Sequence, residues 1–245
     1  MAETLLSLLT AHLLGDFVFQ TPWMLRRKKQ PRVLLAHVAT VTFLSGLFLG
    51  SAAPLVLGAV FVTHLAMDAA KVFYLKDTLA ALLIDQAVHL VVIAGLAFAL
   101  PETAAAGWWQ TISWPDFPGF DPAHFYAGLC IVSWLVAALP LGGILIGKTM
   151  VSLHIKNPDE AGGLPHGGAA IGWLERGLIL LLMAIHQPAG IGFLITTKSI
   201  FRFGDIAGNK QHKIAEYIII GTFMSFAWGL LVSILAMAAI GYWMG

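Results

Sequence analysis

The 245 residues are 58% hydrophobic and only 11% charged, with a mean hydropathy of +0.82. An ordinary soluble domain carries about 25% charged residues, so this composition excludes one and indicates a polytopic membrane protein. The formal net charge of +1 and the lack of a soluble basic run interleaved with aromatics point away from a nucleic-acid partner. The one cysteine, Cys130, excludes an internal disulfide and a thiolate metal cluster.

A helix needs about 20 apolar residues to span a bilayer. In chain order the sequence predicts eight spans, at about 4–22, 31–50, 53–74, 78–100, 125–147, 170–186, 189–204 and 214–243. The seventh is short enough to be re-entrant. The opening MAETLLSLLT has no basic n-region and no small-residue cleavage site, so it is expected to stay as the first span. Arg26, Arg27, Lys28, Lys29 and Arg32 place the first turn in the cytoplasm by the positive-inside rule. Alternation then puts both termini outside, and none of the 14 Lys and Arg residues falls in an outside segment.

The expected fold is an all-α transmembrane bundle of about eight spans, in three regions. Residues 1–100 form a four-helix module. Residues 101–124 form an extracytoplasmic loop with Trp108, Trp109, Trp114, Phe117 and Phe120. Such aromatics suit an interfacial anchor, or a lid over a lipid entrance. Residues 125–245 form a second four-helix module with a Gly-rich cytoplasmic loop at 148–169, where His154 and His166 are candidates to reach a site.

The first module holds three histidine–aspartate pairs at i,i+4: His12/Asp16, His64/Asp68 and, reversed, Asp85/His89. That spacing is about one helical turn, so each pair shares a face. Ionisable groups at membrane depth are costly and mark function by default. The helices carrying His12 and His64 run inward and the one carrying His89 runs outward. All three pairs therefore have histidine deeper, roughly 15 Å from the cytoplasmic ends, and aspartate roughly 9–10 Å deep. His37 falls near the aspartate layer. HLLGD at 12–16 matches HLAMD at 64–68, and 25 residues separate His12 from His37 as they do His64 from His89. The first four spans thus read as two parallel helical-hairpin repeats, a design whose sites lie at the repeat interface. The position matching Asp85 is Val33.

A histidine/aspartate set without cysteine suits a divalent metal: zinc first, with manganese and iron also compatible. Its ligands outnumber those of one tetrahedral site, and two ions would use them better. Gln20 and Gln86 are candidates to orient substrate or ligands, or else polar helix ends, and Lys71 either pairs with a carboxylate or a phosphate or snorkels toward the cytoplasm. The second module adds Glu175, Arg176, Lys198, Arg202 and Glu216, either an interhelical ion pair with anchors or a cationic pocket for a lipid phosphate.

HLLGDFVFQ at 12–20, HLAMDAAK at 64–71 and DQAVH at 85–89 resemble a bacterial family of small inner-membrane proteins described only as a domain of unknown function. The likeness covers about residues 5–100. A weaker one continues through IGWLERGLILLL, TTKSIFRF and AEYIIIGT. The resemblance implies a bacterial inner-membrane protein with polar positions at His12, Asp16, Gln20, His64, Asp68, Lys71, Asp85 and His89, and it implies no activity. More distantly, the H-x3-D pairs are similar to those of membrane-bound metal-dependent hydrolases, without their HRG-x2-H stretch.

The expected function is metal-dependent hydrolysis of a phosphoester in a lipid or lipid-linked substrate. His12, His37, His64 and His89 would hold metal. Asp16, Asp68 and Asp85 would bridge metals, or one of them act as general base. Gln20, Lys71, Arg176, Lys198 and Arg202 would bind substrate. The alternatives are an ion- or proton-coupled transporter using the same cluster, and a non-catalytic membrane assembly protein.

Overall fold

The computed structural model describes residues 1–111, 121–153, 167–203 and 211–245, with side chains at all of these except 111, 199–203 and 211–215. Residues 154–166 of the Gly-rich loop, with His154 and His166, and the aromatics Trp114, Phe117 and Phe120 lie outside the described residues.

Every described element is a helix. In order they are α1 (Ala2–Leu14), which continues into a wide π turn at Gly15–Phe19, α2 (Pro22–Arg27), α3 (Pro31–Leu49), α4 (Pro54–Tyr74) and α5 (Leu79–Ala99). Then come α6 (Trp108–Thr111), α7 (Pro122–Val136), a second π turn (Ala137–Leu141), α8 (Gly142–Ser152), α9 (Gly167–Ala184), α10 (Ala189–Phe203) and α11 (Gln211–Met244). Pro31 and Pro54 open α3 and α4 at the first helical position, where a missing N–H costs nothing. Thr21 and Thr78 cap α2 and α5 by accepting from the backbone of Met24 and Ala81.

Among the described residues, seven helical stretches are long and apolar enough to cross a membrane: Ala2–Phe19, Pro31–Leu49, Pro54–Tyr74, Leu79–Ala99, Pro122–Ser152, Gly167–Ala184 and Glu216–Met244. The chain is a multi-pass membrane protein. The remaining expected span is α10, whose 15 residues rise about 22 Å against a hydrocarbon core about 30 Å thick.

The chain divides into two compact units, Met1–Val136 with Ala239–Gly245, and Ala137–Ala238. In the first, α1, α3, α4 and α5 close a ring, each packing on the next and α5 packing back on α1. Two successive hairpins of like direction produce this circular order. The buried seams explain the layering. On α4 the seam runs Val56, Val60, His64, Asp68, and on α5 it runs Asp85, His89, Ile93, Ala97. Each spacing is four residues, so one stripe per helix turns inward. The two stripes run in opposite directions along the chain and match in space, with valine and isoleucine at one end, histidine in the middle and aspartate at the other. Large apolar residues off the seams, such as Leu55, Val62, Val91 and Phe98, are exposed, as side chains facing lipid should be.

The apolar end is sealed. Leu8, Val41, Leu49, Val56, Val60, Ile93 and Ala104 form one buried cluster. The segment after α5 is fastened over it: Thr4 donates to the Pro101 carbonyl at 2.8 Å, and Trp109 donates from its indole to the Leu47 carbonyl at 2.7 Å. Gly50 ends α3 at φ +65°, and its carbonyl accepts from the Trp108 N–H at 2.8 Å. A Cβ at Gly50 would lie 2.7 Å from the Trp109 ring, so close approach and left-handed backbone both require glycine. Trp109 is therefore a structural closure here.

In the second unit, Ile179, Ile191 and Phe226 form the apolar core. Pro140 lies inside the π turn. A proline supplies no N–H to the helical ladder and crowds the preceding turn, so carbonyls there need other donors. Trp228 and Arg176 provide them. Trp228 donates from its indole to Ala137 O at 2.9 Å. Arg176 gives Nε to Ala138 O at 2.6 Å, Nη2 to Leu139 O at 3.1 Å and Nη1 to Ser225 Oγ at 3.0 Å.

Candidate metal centre

All seven histidines and aspartates singled out in the sequence converge inside the ring of α1, α3, α4 and α5. His12, His37, His64, His89, Asp68 and Asp85 are buried, and the Asp16 side chain is 8% exposed. The π turn beginning at Gly15 carries Asp16 from the end of α1 into the cluster. Such turns are frequent at functional sites.

Three ligand atoms group together, His37 Nε2, His64 Nε2 and Asp16 Oδ1, with Asp68 Oδ2 beside the two histidines. His37 Nε2 lies 3.3 Å from Asp16 Oδ1 and 3.3 Å from Asp68 Oδ2. His64 Nε2 lies 3.3 Å from Asp16 Oδ1, 3.8 Å from Asp68 Oδ2 and 3.2 Å from His37 Nε2. A tetrahedron with metal–ligand bonds of about 2.0–2.1 Å has edges of about 3.3–3.4 Å. The triangle of His37 Nε2, His64 Nε2 and Asp16 Oδ1, with sides of 3.2–3.3 Å, therefore has the size of one face of such a tetrahedron. Its contacts are poor as hydrogen bonds: Asp16 Oδ1 is buried without an aligned donor among the described residues. Buried carboxylate oxygens left in that state are costly, and each calls for an explanation such as an ion. The residues fit a divalent metal.

A second, looser group adjoins the first. Ligand atoms of Asp16, Asp85 and His89 lie within 4.8 Å of one another, as do those of His12, His64 and His89. The His64 and His89 rings stack at 4.1 Å. Both nitrogens of His89 and Oδ1 of Asp85 have no hydrogen-bond partner among the described residues. Gln86 organises this side. Its Nε2 donates to Asp16 Oδ2 at 3.3 Å and to Asp85 Oδ2 at 3.1 Å. Two carboxylate acceptors fix the amide orientation, so Oε1 must accept the 3.1 Å bond from His12 Nε2. That bond sets the His12 tautomer and leaves its Nδ1 lone pair bare, turned toward Asp16 Oδ2 at 3.9 Å. Beyond the histidines, a cavity of about 20 Å³ touches His12, His64, His89, Ser45 and Thr63 and has room for a single water molecule.

The aspartate end is where charge enters. Lys28 Nζ lies 3.0 Å from both oxygens of Asp68, and Lys71 Nζ bonds Asp85 Oδ2. Lys71 is thus paired with a carboxylate, one of its two expected partners. Sequence reasoning missed Lys28, which reads as one cation in a basic run; nothing in its spacing marks it as the one turned inward. Gln20 sits at the end of the π turn with its Nε2 buried and unpartnered among the described residues. In the other unit, the donors of Arg176 go to the two carbonyls and the hydroxyl named above, and Lys198 pairs with Glu175. Glu216 is exposed, and the side chain of Arg202 lies outside the described residues.

Fold and site together define a helical, multi-pass membrane protein with a buried histidine/aspartate cluster able to hold a metal ion. Residues 4–114 match the model of a family described as "Protein of unknown function (DUF3307)", which confirms the family resemblance in that stretch. The match takes in α1 to α5 and with them the whole cluster. No curated protein and no solved structure matches the chain.

Proposed function

We propose that this protein is a divalent-metal-dependent hydrolase of the bacterial inner membrane, acting on a phosphoester of a lipid or lipid-linked molecule. The observation that carries this reading is the triangle of His37 Nε2, His64 Nε2 and Asp16 Oδ1, with sides of 3.2–3.3 Å and an Asp16 oxygen lacking an aligned donor among the described residues. Nitrogen and oxygen ligands at tetrahedral spacing favour zinc over manganese or iron. His89, Asp85, His12 and the other oxygen of Asp16 offer a second ion fewer fixed ligands, and so a place for water. A bound ion supplies a water acidic enough to be hydroxide near neutral pH and polarises a phosphoryl oxygen.

The chain's own groups do the rest. Gln86 holds Asp16 and Asp85 in place. Asp85 Oδ1, unpartnered among the described residues, would be the candidate general base, holding a proton at this site. The apolar cluster behind the histidines limits approach to the aspartate end, the end expected to face the cytoplasm. A transporter would need a polar path through both ends, and Leu8, Val41, Val56, Val60 and Ile93 occupy one of them.

The test is elemental analysis of protein purified without chelator, wild type beside His64→Ala and Asp68→Ala, followed by phosphate release from lipid phosphoesters in detergent micelles. Stoichiometric zinc in the wild type, lost in both variants together with phosphate release, is the expected result. Wild-type protein without stoichiometric metal would end the metal reading. Metal-loaded protein that moves ions across liposomes but releases no phosphate would shift the assignment to transport.

A further inference from the structure

We propose that Lys28 and Lys71 form the oxyanion-binding pair of this site, the two ammonium groups that receive the substrate's phosphate. The inference rests on the metal-centre reading above and adds the place and chemistry of the ligand. The argument is one of charge and position. Three carboxylates, Asp16, Asp68 and Asp85, face two ammonium groups, so with neutral histidines the cluster carries one net negative charge. One divalent ion reverses that to one net positive charge, and a second raises it further. Uncompensated charge is expensive at membrane depth. A metal-bound hydroxide would cancel the charge left by one ion, and a second ion leaves positive charge for a further anion, which belongs where the cations stand.

Only the aspartate end offers that place among the described residues. The Asp68 and Asp85 side chains are 1% and 0% exposed, whereas those of Lys28 and Lys71 are 11% and 26% exposed. Each ammonium therefore stands between a buried ligand carboxylate and the surface. Lys28 comes from the turn after α2, and Lys71 from the last turn of α4, so the two ammonium groups are supplied by separate elements. An ammonium has three donors and spends one or two on its aspartate, leaving a donor for an outer oxygen. A tetrahedral oxyanion can then touch both lysines on one side and the metal centre on the other. A phosphate on a lipid and free inorganic phosphate share this chemistry.

The experiment uses the full chain in neutral detergent, loaded with zinc, with zinc content measured in every sample. Binding of inorganic phosphate and of a short-chain phosphatidic acid is compared for wild type, Lys28→Gln, Lys71→Gln and Lys28→Arg. Zinc-dependent binding of at least one ligand is expected, weakened about tenfold in each glutamine variant at unchanged zinc content, the size of one lost charged hydrogen bond. Lys28→Arg should recover most of it. Preference for phosphatidic acid would identify the lipid source, and equal affinity the free anion; both support the pair. Equal affinity in wild type and glutamine variants would overturn it. Loss of zinc from the glutamine variants would also overturn it, by assigning the lysines to holding the carboxylates. Failure of the wild type to bind zinc would be seen separately and would remove the metal reading itself.

Discussion

The two units each bury charge in an apolar helical setting, and they treat it in opposite ways. In the second unit Arg176 is 2% exposed, yet its three donor nitrogens end on Ala138 O, Leu139 O and Ser225 Oγ. Glycines make the room: a Cβ at Gly142, Gly172 or Gly229 would stand 3.0–3.4 Å from Arg176 atoms. This is a satisfied buried ion, stitching a proline-broken helix to its neighbours. In the first unit, carboxylate oxygens and imidazole nitrogens crowd together with several acceptors lacking an aligned donor. Burial of charge alone does not separate a structural device from a site. Satisfaction does: where every charged nitrogen has an acceptor nothing more is called for, and where acceptors face acceptors an additional cation is.

Substitutions in the two places should therefore report through different measurements. The largest effect is expected from Asp16→Ala, because Asp16 faces both groups of ligands. Outer partners of a metal alone are worth about 10–100-fold in affinity, so loss of this ligand should cost about a thousandfold or more in zinc affinity by competition with a chelator. Retention of wild-type affinity would erase the contrast between the units. Next is Arg176→Ala, which leaves two buried carbonyls without donors and should lower unfolding stability in detergent by about 3 kcal/mol, with zinc content unchanged. If zinc content fell with it, the division into a structural ion and a ligand site would be wrong. Third, Gln86→Leu removes the amide that fixes Asp16, Asp85 and the His12 tautomer. It should weaken zinc binding about tenfold, with little change in the zinc-free stability.

How much of this was legible in the sequence follows from which signals are local. The spans were readable because apolar length is one-dimensional; among the described residues, α10 with 15 residues is the expected span too short for a crossing. The three pairs were readable because i,i+4 spacing fixes a shared face, and the reversal of Asp85/His89 announced a helix running the other way. His37 came from the repeat, and its Nε2 stands 3.2 Å from His64 Nε2 and 3.3 Å from Asp16 Oδ1. The π turn at Gly15 was invisible, since it depends on contact with α3. Lys28 was invisible for the same reason, its inward turn being set by where Asp68 lies. Arg176 could be named but not assigned, because its partners are carbonyls exposed by Pro140 on another helix, and a backbone acceptor leaves no mark in the side-chain pattern. The bundle was thus largely legible and the histidine/aspartate cluster nearly so, while the groups that contact the cluster were not.

The smallest effect tests the contact that sets the cage. Gly15 has ordinary helical φ of −58°, so its role is not conformational freedom. A Cβ built on it would lie 2.5 Å from Val41 Cγ2, far inside contact distance. Val41 is buried and β-branched, with a stiff χ1, and cannot swing aside as a long side chain would. Gly15→Ala should therefore push α1 from α3, costing about 1–2 kcal/mol in unfolding stability although alanine is the better helix former. The displacement falls one residue before Asp16 and across from His37, so zinc affinity should drop as well. Val41→Ala removes the obstructing methyl. In that background Gly15→Ala should become neutral or stabilising by up to about 1 kcal/mol, and zinc affinity should return. The sign change is the diagnostic. If Gly15→Ala were as harmful in the Val41→Ala background as in the wild type, the close approach of α1 and α3 would not be what positions Asp16, and the cage would owe its spacing to the aspartates' other partners, Gln86 above all.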